Sequence, residues 1–412
     1  MSAEPQAAAP VPPEGGGGIT VASRLSGYLR GGGVITPFLT ALLAFLVGGL
    51  VVLLTGHNPL QTYKAIFDGT GLAWIFPWTT GDERVTAALN LQQTLLLTIP
   101  LILTGLAVAL AFRVGLFNIG GQGQYLVGSF VAVWVGSVWA GLPGWLHIVL
   151  AVALAALAGA VWAGIAGLLR ATVGANEVIS TIMLNWIAVW VGFWAFGLGG
   201  PLQNSRDPSL PVSDDVVQSA RLHVFWGDPE LQGLHIGIFI ALVAAVCFWL
   251  LISRSTKGYE ARAVGFNPDA ARYGGINVGR TYVWVMATCG VFAGLAGAMD
   301  VLGWEFRVAT NDIEISQVGF YGIAVALLGR NTALGTCVAA LLFGGLLSGT
   351  SVRNLDPAVF PPALGTNLTY VIQGVVVLLV SADVLVVYLW RLRRHLPGRR
   401  RAEAPDAAEA TP

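Results

Sequence analysis

Apolar runs of about 20 residues recur along the chain, and they constrain its fold more than any other feature. Such runs match the roughly 30 Å hydrocarbon core of a bilayer, which an α-helix crosses in about 20 residues. Ten runs are visible, at 35–55, 91–111, 124–140, 145–169, 181–199, 234–253, 281–301, 318–329, 333–351 and 369–390. The run 318–329 is too short to span alone, which predicts a broken or half helix. The sequence therefore predicts an all-α, polytopic transmembrane helical bundle with about ten membrane segments.

The composition supports this class and argues against several others. Hydrophobic residues make up 55% of the 412 residues and charged residues 11%, whereas a soluble domain has about 25% charged residues. The only lysines, Lys64 and Lys257, do not follow glycines, so the chain lacks the GK[ST] of an ATP-binding P-loop. Three cysteines inside apolar runs and five scattered histidines predict no metal site, no bound cofactor and no catalytic residues. The zero net charge gives no indication of a nucleic acid partner.

The distribution of basic residues predicts how the chain is oriented in the membrane. With both termini in the cytoplasm, 16 Lys and Arg residues fall on the inner side and 6 on the outer side, as the positive-inside rule requires. We therefore expect a disordered cytoplasmic tail at 1–30, a transmembrane domain at 31–390 and a basic cytoplasmic tail at 391–412. The long outer loops 56–90 and 200–233 face the other side, and the acidic second loop could receive an external partner.

Small residues at four-residue spacing form two stripes, in which helix backbones can approach closely inside a bilayer. The stripes are Ala155, Gly159, Ala163 and Gly167 in one run, and Gly290, Gly294 and Ala298 in another. They predict tight helix packing and say nothing about what the bundle does.

The longest predicted inner loop, 254–280, contains the signals of a short capped helix. These signals are an N-cap at Asn267, a proline at Pro268 and a stop at Gly274–Gly275. They predict a helix over 268–273 that is exposed to the cytosol, with a small face that another protein could approach at Ala270 and Ala271. The loop is thus interpreted as a docking element, and the alternative is an ordinary basic loop that orients the protein.

Two further segments carry polar side chains into the membrane. Segment 115–129 has five glycines, which predict irregular backbone lining a cavity or covered by protein. Its amides suit sugar hydroxyls or base edges as partners: Asn118, Gln122 and Gln124. In segment 173–188, one helical face holds Glu177, Thr181 and Asn185, and we expect that face to point into the bundle. The alternatives are a simple turn for the first segment and interhelical hydrogen bonding for the second.

Isolated carboxylates give little support to other mechanisms. Asp383, inside the last run, suggests either a proton relay or local pairing near the inner end. Asp300, Glu305 and Arg307 are expected near the outer boundary, where charges are routine.

Four sequence segments together resemble a known family. They are GLFNIGGQGQ at 115–124, NEVISTIMLNWIA at 176–188, AVGFNPDAARYGGINV at 263–278 and GFYGIAVALLGRNTALG at 319–335. The chain resembles the inner-membrane permease subunits of ABC importers for branched-chain amino acids, ribose-type sugars and nucleosides, and is most similar to the nucleoside (simple-sugar) branch. The apolar pattern extends the resemblance to roughly 35–390, so residues 31–390 are expected to be the permease domain.

The resemblance implies roles for particular residues. It makes the inner loop an ATPase-coupling loop, with Gly265, Phe266, Asn267, Pro268, Ala270, Ala271, Gly275 and Ile276 as its members. It places a second group near the translocation path: Asn118, Gln122, Gln124, Asn176, Glu177, Thr181 and Asn185. We expect that bulky charged residues at Gly265 and Ala271 leave the protein folded but uncouple ATP hydrolysis from uptake.

The resemblance also implies partners and a location. A second permease subunit would complete a heterodimeric membrane core, two ABC ATPase subunits would use ATP, and an external substrate-binding lipoprotein would deliver cargo. The chain would lie in the cytoplasmic (inner) membrane among lipids and would perform no bond chemistry. Nucleosides are the expected cargo. The alternatives are a ribose-type sugar, a proton-coupled secondary transporter and a membrane-embedded transferase, and the last two need side-chain clusters that the sequence lacks.

Overall fold

A computed structural model describes residues 35–139, 141–228, 233–351, 353–354 and 361–381. Helices make up most of this part of the chain. In chain order they are α1 (Ile35–Leu54), α2 (Pro59–Thr70), α3 (Gly81–Arg113), α4 (Gly121–Val138), α5 (Gly144–Val173), α6 (Glu177–Phe196), α7 (Gly237–Arg254), α8 (Thr256–Phe266), α9 (Pro268–Tyr273), α10 (Val278–Asp300), α11 (Thr310–Ile315), α12 (Val318–Leu328), α13 (Ala333–Gly349) and α14 (Pro362–Ser381). The predicted tails at 1–30 and 391–412, together with Asp383, lie outside the described residues.

Within the described residues, each of the ten apolar runs overlaps a helix, the last of them over 369–381, which confirms the all-α membrane fold. Within the described residues, α3, α5, α6, α7 and α10 are long and apolar enough to cross a bilayer. Helices α1 and α2 are bent by 119° and could form a sixth, broken span. Helix α12 has 11 residues, as the short run predicted. A count of ten spans stays a prediction.

The centre of the bundle is formed by α3 and α10. Side chains of α3 from Leu96 to Ala111 are almost all buried, because this helix packs against α7, α10, α12 and α13. At about 1.5 Å per residue its 33 residues extend for roughly 50 Å, more than the hydrocarbon thickness. Helices α5, α6 and α7 surround this core, and a third or less of each apolar segment is buried, as expected for surfaces that meet lipid or another subunit.

The two predicted small-residue stripes pack against each other where α5 crosses α10. A Cβ atom built on Gly159 would lie 2.3 Å from the carbonyl oxygen of Gly290, and one on Gly294 would lie 2.4 Å from that of Ala155. No side chain larger than hydrogen fits at these points. The prediction of tight packing at the stripes is confirmed.

The loops separate to opposite ends of the bundle as the basic residues predicted. At one end, the Arg113 side chain donates from Nε to the carbonyl of Asn331 at 2.8 Å, and Gly115 lies against Gly265. All four residues belong to predicted inner loops.

At the opposite end the predicted outer loops meet. They include a short antiparallel pair of strands, β1 (Val224–Trp226) and β2 (Leu234–His235). The Ser213 hydroxyl accepts from the Val308 N–H at 2.9 Å, which ties loop 200–233 to the segment after α10. In the same loop, hydrogen bonds from the Ser209 hydroxyl and N–H lower the pKa of Asp207, so this carboxylate remains charged at neutral pH.

Candidate functional site

Two breaks in the helical backbone lie side by side in the bundle, and amide side chains close both. The first break covers 114–120, between α3 and α4. Asn185 of α6 is buried there; its Oδ1 accepts from the Gly123 N–H at 2.8 Å and its Nδ2 donates to the Ile119 carbonyl at 2.9 Å. Backbone groups freed by a break inside a membrane need such partners. Asn185 therefore holds α6 against the start of α4.

The second break separates α11 from α12. Gln122 of α4 bridges it, since its Nε2 donates to the Ser316 carbonyl at 2.9 Å and its Oε1 accepts from the Gly319 N–H at 2.8 Å. Segments 115–129, 173–188 and 319–335, which stood apart in the sequence, are thus brought into contact by these two amides.

The expectation of irregular backbone over the whole of segment 115–129 is wrong beyond Gly120. Helix α4 begins at Gly121 and continues regularly through Val138. Its glycines allow close approach: a Cβ on Gly128 would lie 2.5 Å from Gly294 Cα, and one on Gly123 would lie 2.9 Å from Asn185 Cα. The glycines serve helix packing in this segment, while the irregular backbone is confined to the preceding residues.

The remaining candidates for the translocation path are occupied by internal hydrogen bonds. Asn118 and Gln124, both buried, exchange two amide hydrogen bonds of 3.0 and 2.8 Å. The Thr181 hydroxyl donates to the Glu177 carbonyl at 2.7 Å. Asn176 caps α6 by accepting from the Val178 N–H at 2.9 Å.

Glu177 lies at the same end of α6 as Asn176. Its Oε2 is 3.5 Å from Arg170 Nε. These two residues therefore belong to the inner end of the bundle. The structure brings Asn118, Gln122, Gln124, Thr181 and Asn185 together in one polar layer, and Asn176 and Glu177 lie beyond it.

A groove of about 580 Å³ opens beside this layer, between α6, α11 and α12. We call it the α6–α12 groove. Its polar lining consists of Gln122, Asn185, Glu314, Ser316 and Gln317, and its aromatic lining of Trp186, Trp190, Phe193 and Phe320. Sequence reasoning found Gln122 and Asn185 but missed the aromatic residues, because exposed tryptophans on an apolar helix are typical of lipid contact. The available signal was the position of Trp186 directly after Asn185, with Trp190 one turn further.

The short inner helix is present as predicted. Helix α9 covers Pro268–Tyr273, and the Asn267 side chain accepts from the N–H groups of Asp269 and Ala270 at 3.0 Å each. Gly275 follows with φ of +82°, a conformation that favours glycine. A shallow cavity of about 680 Å³ lies between α8, α9 and the start of α10.

The exposed face of this loop differs from the expected one. Phe266 and Tyr273 are 89% and 96% exposed, whereas Ala271 is buried against Val264 and Val278, with Ile276 packed on them. Ala270 is exposed and Pro268 begins the helix. The exposed face of this loop is therefore aromatic rather than small.

The expectation that bulky charged residues at Gly265 and Ala271 leave the protein folded is also wrong. A Cβ on Gly265 would lie 2.5 Å from the carbonyl atoms of Val114, and a charge at Ala271 would be buried without a partner. Both changes disturb packing, so they cannot isolate a role in coupling.

Asp300 differs from the expectation of a routine boundary charge. It is 3% exposed and accepts hydrogen bonds from the Tyr125 hydroxyl at 2.7 Å and from Trp304 Nε1 at 3.2 Å. A π-helical turn, Val301–Glu305, follows directly. This carboxylate joins α4 to the outer end of α10, beside the polar layer.

A bundle of apolar helices with amide-braced breaks and a groove lined by aromatic and amide side chains is typical of a membrane transport protein. The family described as branched-chain amino acid transport system / permease component matches residues 90–381. The chain belongs to this family, and it is a multi-pass protein of the cytoplasmic membrane. This confirms the resemblance inferred from the four sequence segments.

Several relatives are similar over most of their length. The guanosine ABC transporter permease protein NupP of Bacillus subtilis is 37% identical over 86% of this chain and 95% of the relative. The nucleoside ABC transporter permease protein NupB of Lactococcus lactis is 31% identical over 92% and 96%. The glucose ABC transporter permease protein TsgB13 of Haloferax volcanii is 33% identical over 83% and 86%. No solved structure matches the chain significantly.

Proposed function

We propose that this chain forms the membrane path of an ABC importer for nucleosides. The observation that carries this proposal is the α6–α12 groove, whose lining combines aromatic rings with amide side chains. Two relatives of nearly the same length are named as permeases for guanosine and for nucleosides, which supports the same class of cargo here.

The chemistry of the groove suits a nucleoside. Bases stack on aromatic side chains, which contributes about 1–3 kcal/mol per base in single-stranded nucleic acid binding. Trp186 and Trp190 are 60% and 66% exposed, so their rings are available for stacking. Discontinuous helices are where many transporters bind their cargo, and the α11–α12 break at Ser316 lies in the groove wall.

The proposed partners follow the arrangement of the two ends. Two ABC ATPase subunits would bind the loop around α9 and use ATP, since the exposed Phe266 and Tyr273 offer an aromatic docking face at the inner end. A substrate-binding lipoprotein would dock on the outer loops, and a second permease subunit would complete a heterodimeric core. Small rigid-body shifts of the bundle would then open the path to each side in turn.

A simple sugar is the second candidate cargo. The glucose permease relative from Haloferax volcanii supports it, and the Gln317 amide of the groove lining would suit sugar hydroxyls. The two candidate cargoes would use the aromatic rings of the groove differently. A planar base stacks on a tryptophan, so nucleoside uptake is expected to be more sensitive than sugar uptake to loss of that tryptophan.

The test is uptake of labelled uridine and adenosine in cells with and without the gene, with excess ribose or glucose as competitor. Nucleoside uptake that disappears on deletion and resists sugar competition is the expected result. Unchanged nucleoside uptake together with reduced sugar uptake would replace the nucleoside by the sugar.

A matched pair of variants tests the groove itself. Trp190 and Trp194 lie one turn apart on α6 and are 66% and 68% exposed, but only Trp190 belongs to the groove lining. Trp190→Ala is expected to raise the KM for uridine roughly tenfold through loss of stacking, while Trp194→Ala leaves it near the wild-type value. Equal effects of the two changes would contradict this placement of the path.

A further inference from the structure

The polar side chains that line the α6–α12 groove differ in whether they are free to bind a cargo. The amides of Gln122 and Asn185 are occupied by backbone groups at the two breaks, and the Ser316 hydroxyl is buried away from the groove. Glu314 and Gln317 are exposed in the lining. Within the described residues, neither of these two side chains makes a hydrogen bond or an ion pair. They are therefore the polar groups that the groove offers to a cargo.

Helix α11 holds Glu314 beside the groove tryptophans. A Cβ built on Gly192 of α6 would lie 2.7 Å from Ile313 Cδ1, so the residue before Glu314 packs on α6 two positions beyond Trp190. At the start of α11, the Thr310 N–H donates to an outer-loop carbonyl at 3.1 Å. The short helix is thus fixed at both ends, and the carboxylate and the indole ring line the same stretch of the groove.

A carboxylate in this lining indicates a cargo with hydroxyl groups. Its two oxygens only accept hydrogen bonds when it is ionised, so it matches two adjacent donors. The ribose of a nucleoside presents such a pair at its 2′ and 3′ carbons, and an acidic residue binds a ribose hydroxyl in dinucleotide-binding folds. Among the described residues that line the groove there is no lysine or arginine, the usual partners of a phosphate. The lining therefore suits an uncharged sugar better than a phosphorylated one.

We propose that Glu314 is the sugar-recognition residue of the α6–α12 groove, where its carboxylate accepts hydrogen bonds from the 2′ and 3′ hydroxyls of a nucleoside. The base then stacks on Trp186 or Trp190, and the Gln317 amide binds a remaining polar group of the cargo. This inference rests on the proposed nucleoside function. It adds a preference for an intact ribose over a sugar that lacks these hydroxyls.

The test compares Glu314→Leu with Asn311→Leu in cells that express the intact importer. Both residues are exposed on α11, but only Glu314 lines the groove. The measured quantity is the ratio of uridine uptake to 2′,3′-dideoxyuridine uptake at low concentration. Hydrogen bonds to a charged group change affinity about tenfold to a hundredfold. The ratio is therefore expected to fall roughly tenfold or more in Glu314→Leu and to keep its wild-type value in Asn311→Leu.

The ratio isolates the contribution of this chain, because a substrate-binding protein acts in the same way in all three importers. An unchanged ratio in Glu314→Leu, or an equal loss of both cargoes, overturns the proposal, since a structural role does not distinguish the two sugars. A wild-type ratio near one also overturns it and leaves the proposed function intact. If the wild-type importer takes up no nucleoside at all, the proposed function itself fails.

Thiol labelling of the purified complex reads the groove without measuring uptake. Gln317→Cys places a thiol in the lining, and Cys247→Ser removes an exposed native thiol. Uridine is expected to slow the reaction of this thiol with a maleimide more than dideoxyuridine does. Adding Glu314→Leu should remove the difference at an unchanged melting temperature, because this change breaks no hydrogen bond or ion pair within the described residues. Equal protection by the two nucleosides while Glu314 is present overturns the proposal.

Discussion

Single amides hold the broken backbone of this protein together. Asn185 satisfies an N–H and a carbonyl that no helix can satisfy, at Gly123 and Ile119, and Gln122 does the same at Ser316 and Gly319. Each amide thus links two segments that are distant in sequence. Their hydrogen-bonding atoms are used for this purpose, so the groove offers a cargo mainly the remaining surface of these side chains.

Asn185 provides a test of bracing against cargo recognition. Asn185→Ala leaves two buried backbone groups unpaired, each costing about 1–3 kcal/mol, so the melting temperature of the purified protein is expected to fall markedly. Asn185→Asp retains the acceptor for the Gly123 N–H but sets a buried carboxylate oxygen against the Ile119 carbonyl oxygen, so its melting temperature is also expected to fall. A melting temperature of Asn185→Ala equal to that of the wild type, with uptake abolished, would show that Asn185 acts on the cargo instead.

At the scale of single residues, the sequence predicted which polar side chains are buried. It did not predict the hydrogen bonds that they make. The shared face of Glu177, Thr181 and Asn185 was visible from spacing alone, and all three are buried. Their partners were not predictable, because Asn185 bonds to residues more than 60 positions earlier in the chain. Local patterns contain no information on such pairs.

The short inner helix α9 shows, at the scale of an element, that local patterns predict less about packing than about helix bounds. Its bounds and cap were predictable, since Asn267 and Pro268 act on their immediate neighbours. Its orientation depends on how α8 and α10 pack around it, and this buries Ala271 while exposing Phe266 and Tyr273. The exposed aromatic residues therefore identify the surface to be tested.

Removing these side chains is expected to weaken docking of the ATPase subunit. Truncation of an exposed aromatic anchor at an interface costs roughly 2 kcal/mol, which is about 30-fold in affinity. Phe266→Ala and Tyr273→Ala should therefore lower ATPase binding and ATP-driven uptake while melting normally. Affinity is measured with the purified ATPase subunit, and Phe225→Ala, an exposed aromatic at the outer end, serves as the control. ATPase binding that survives both inner changes would assign the docking face elsewhere.

The molecule as a whole was the most predictable level. In the described part of the chain each apolar run overlaps a helix, and the loops lie at the ends that the basic residues predicted, because bilayer thickness and charge bias act on whole segments. Helix α2 was missed, since its 12 residues carry mixed polarity. The groove was missed for another reason: it exists only where α6, α11 and α12 meet.

The energy source is a property of the whole assembly and can be tested at that level. An ABC importer draws on ATP, so uptake of uridine is expected to continue when an ionophore collapses the proton gradient and cellular ATP is maintained. A known proton-coupled transporter in the same cells provides the control and should stop. Arrest of uridine uptake under these conditions would favour the proton-coupled alternative and direct attention to Asp383.

The contact of Gly265 with Val114 determines how stiffly the inner loop is joined to the bundle. Side chains yield by rotating about their χ angles, whereas peptide planes in van der Waals contact have few soft motions. We therefore expect a displacement of the inner loop to move segment 114–120, and the two hydrogen bonds of Asn185 to move α6 with it. The α6 wall of the α6–α12 groove is therefore expected to move together with the inner loop around α9.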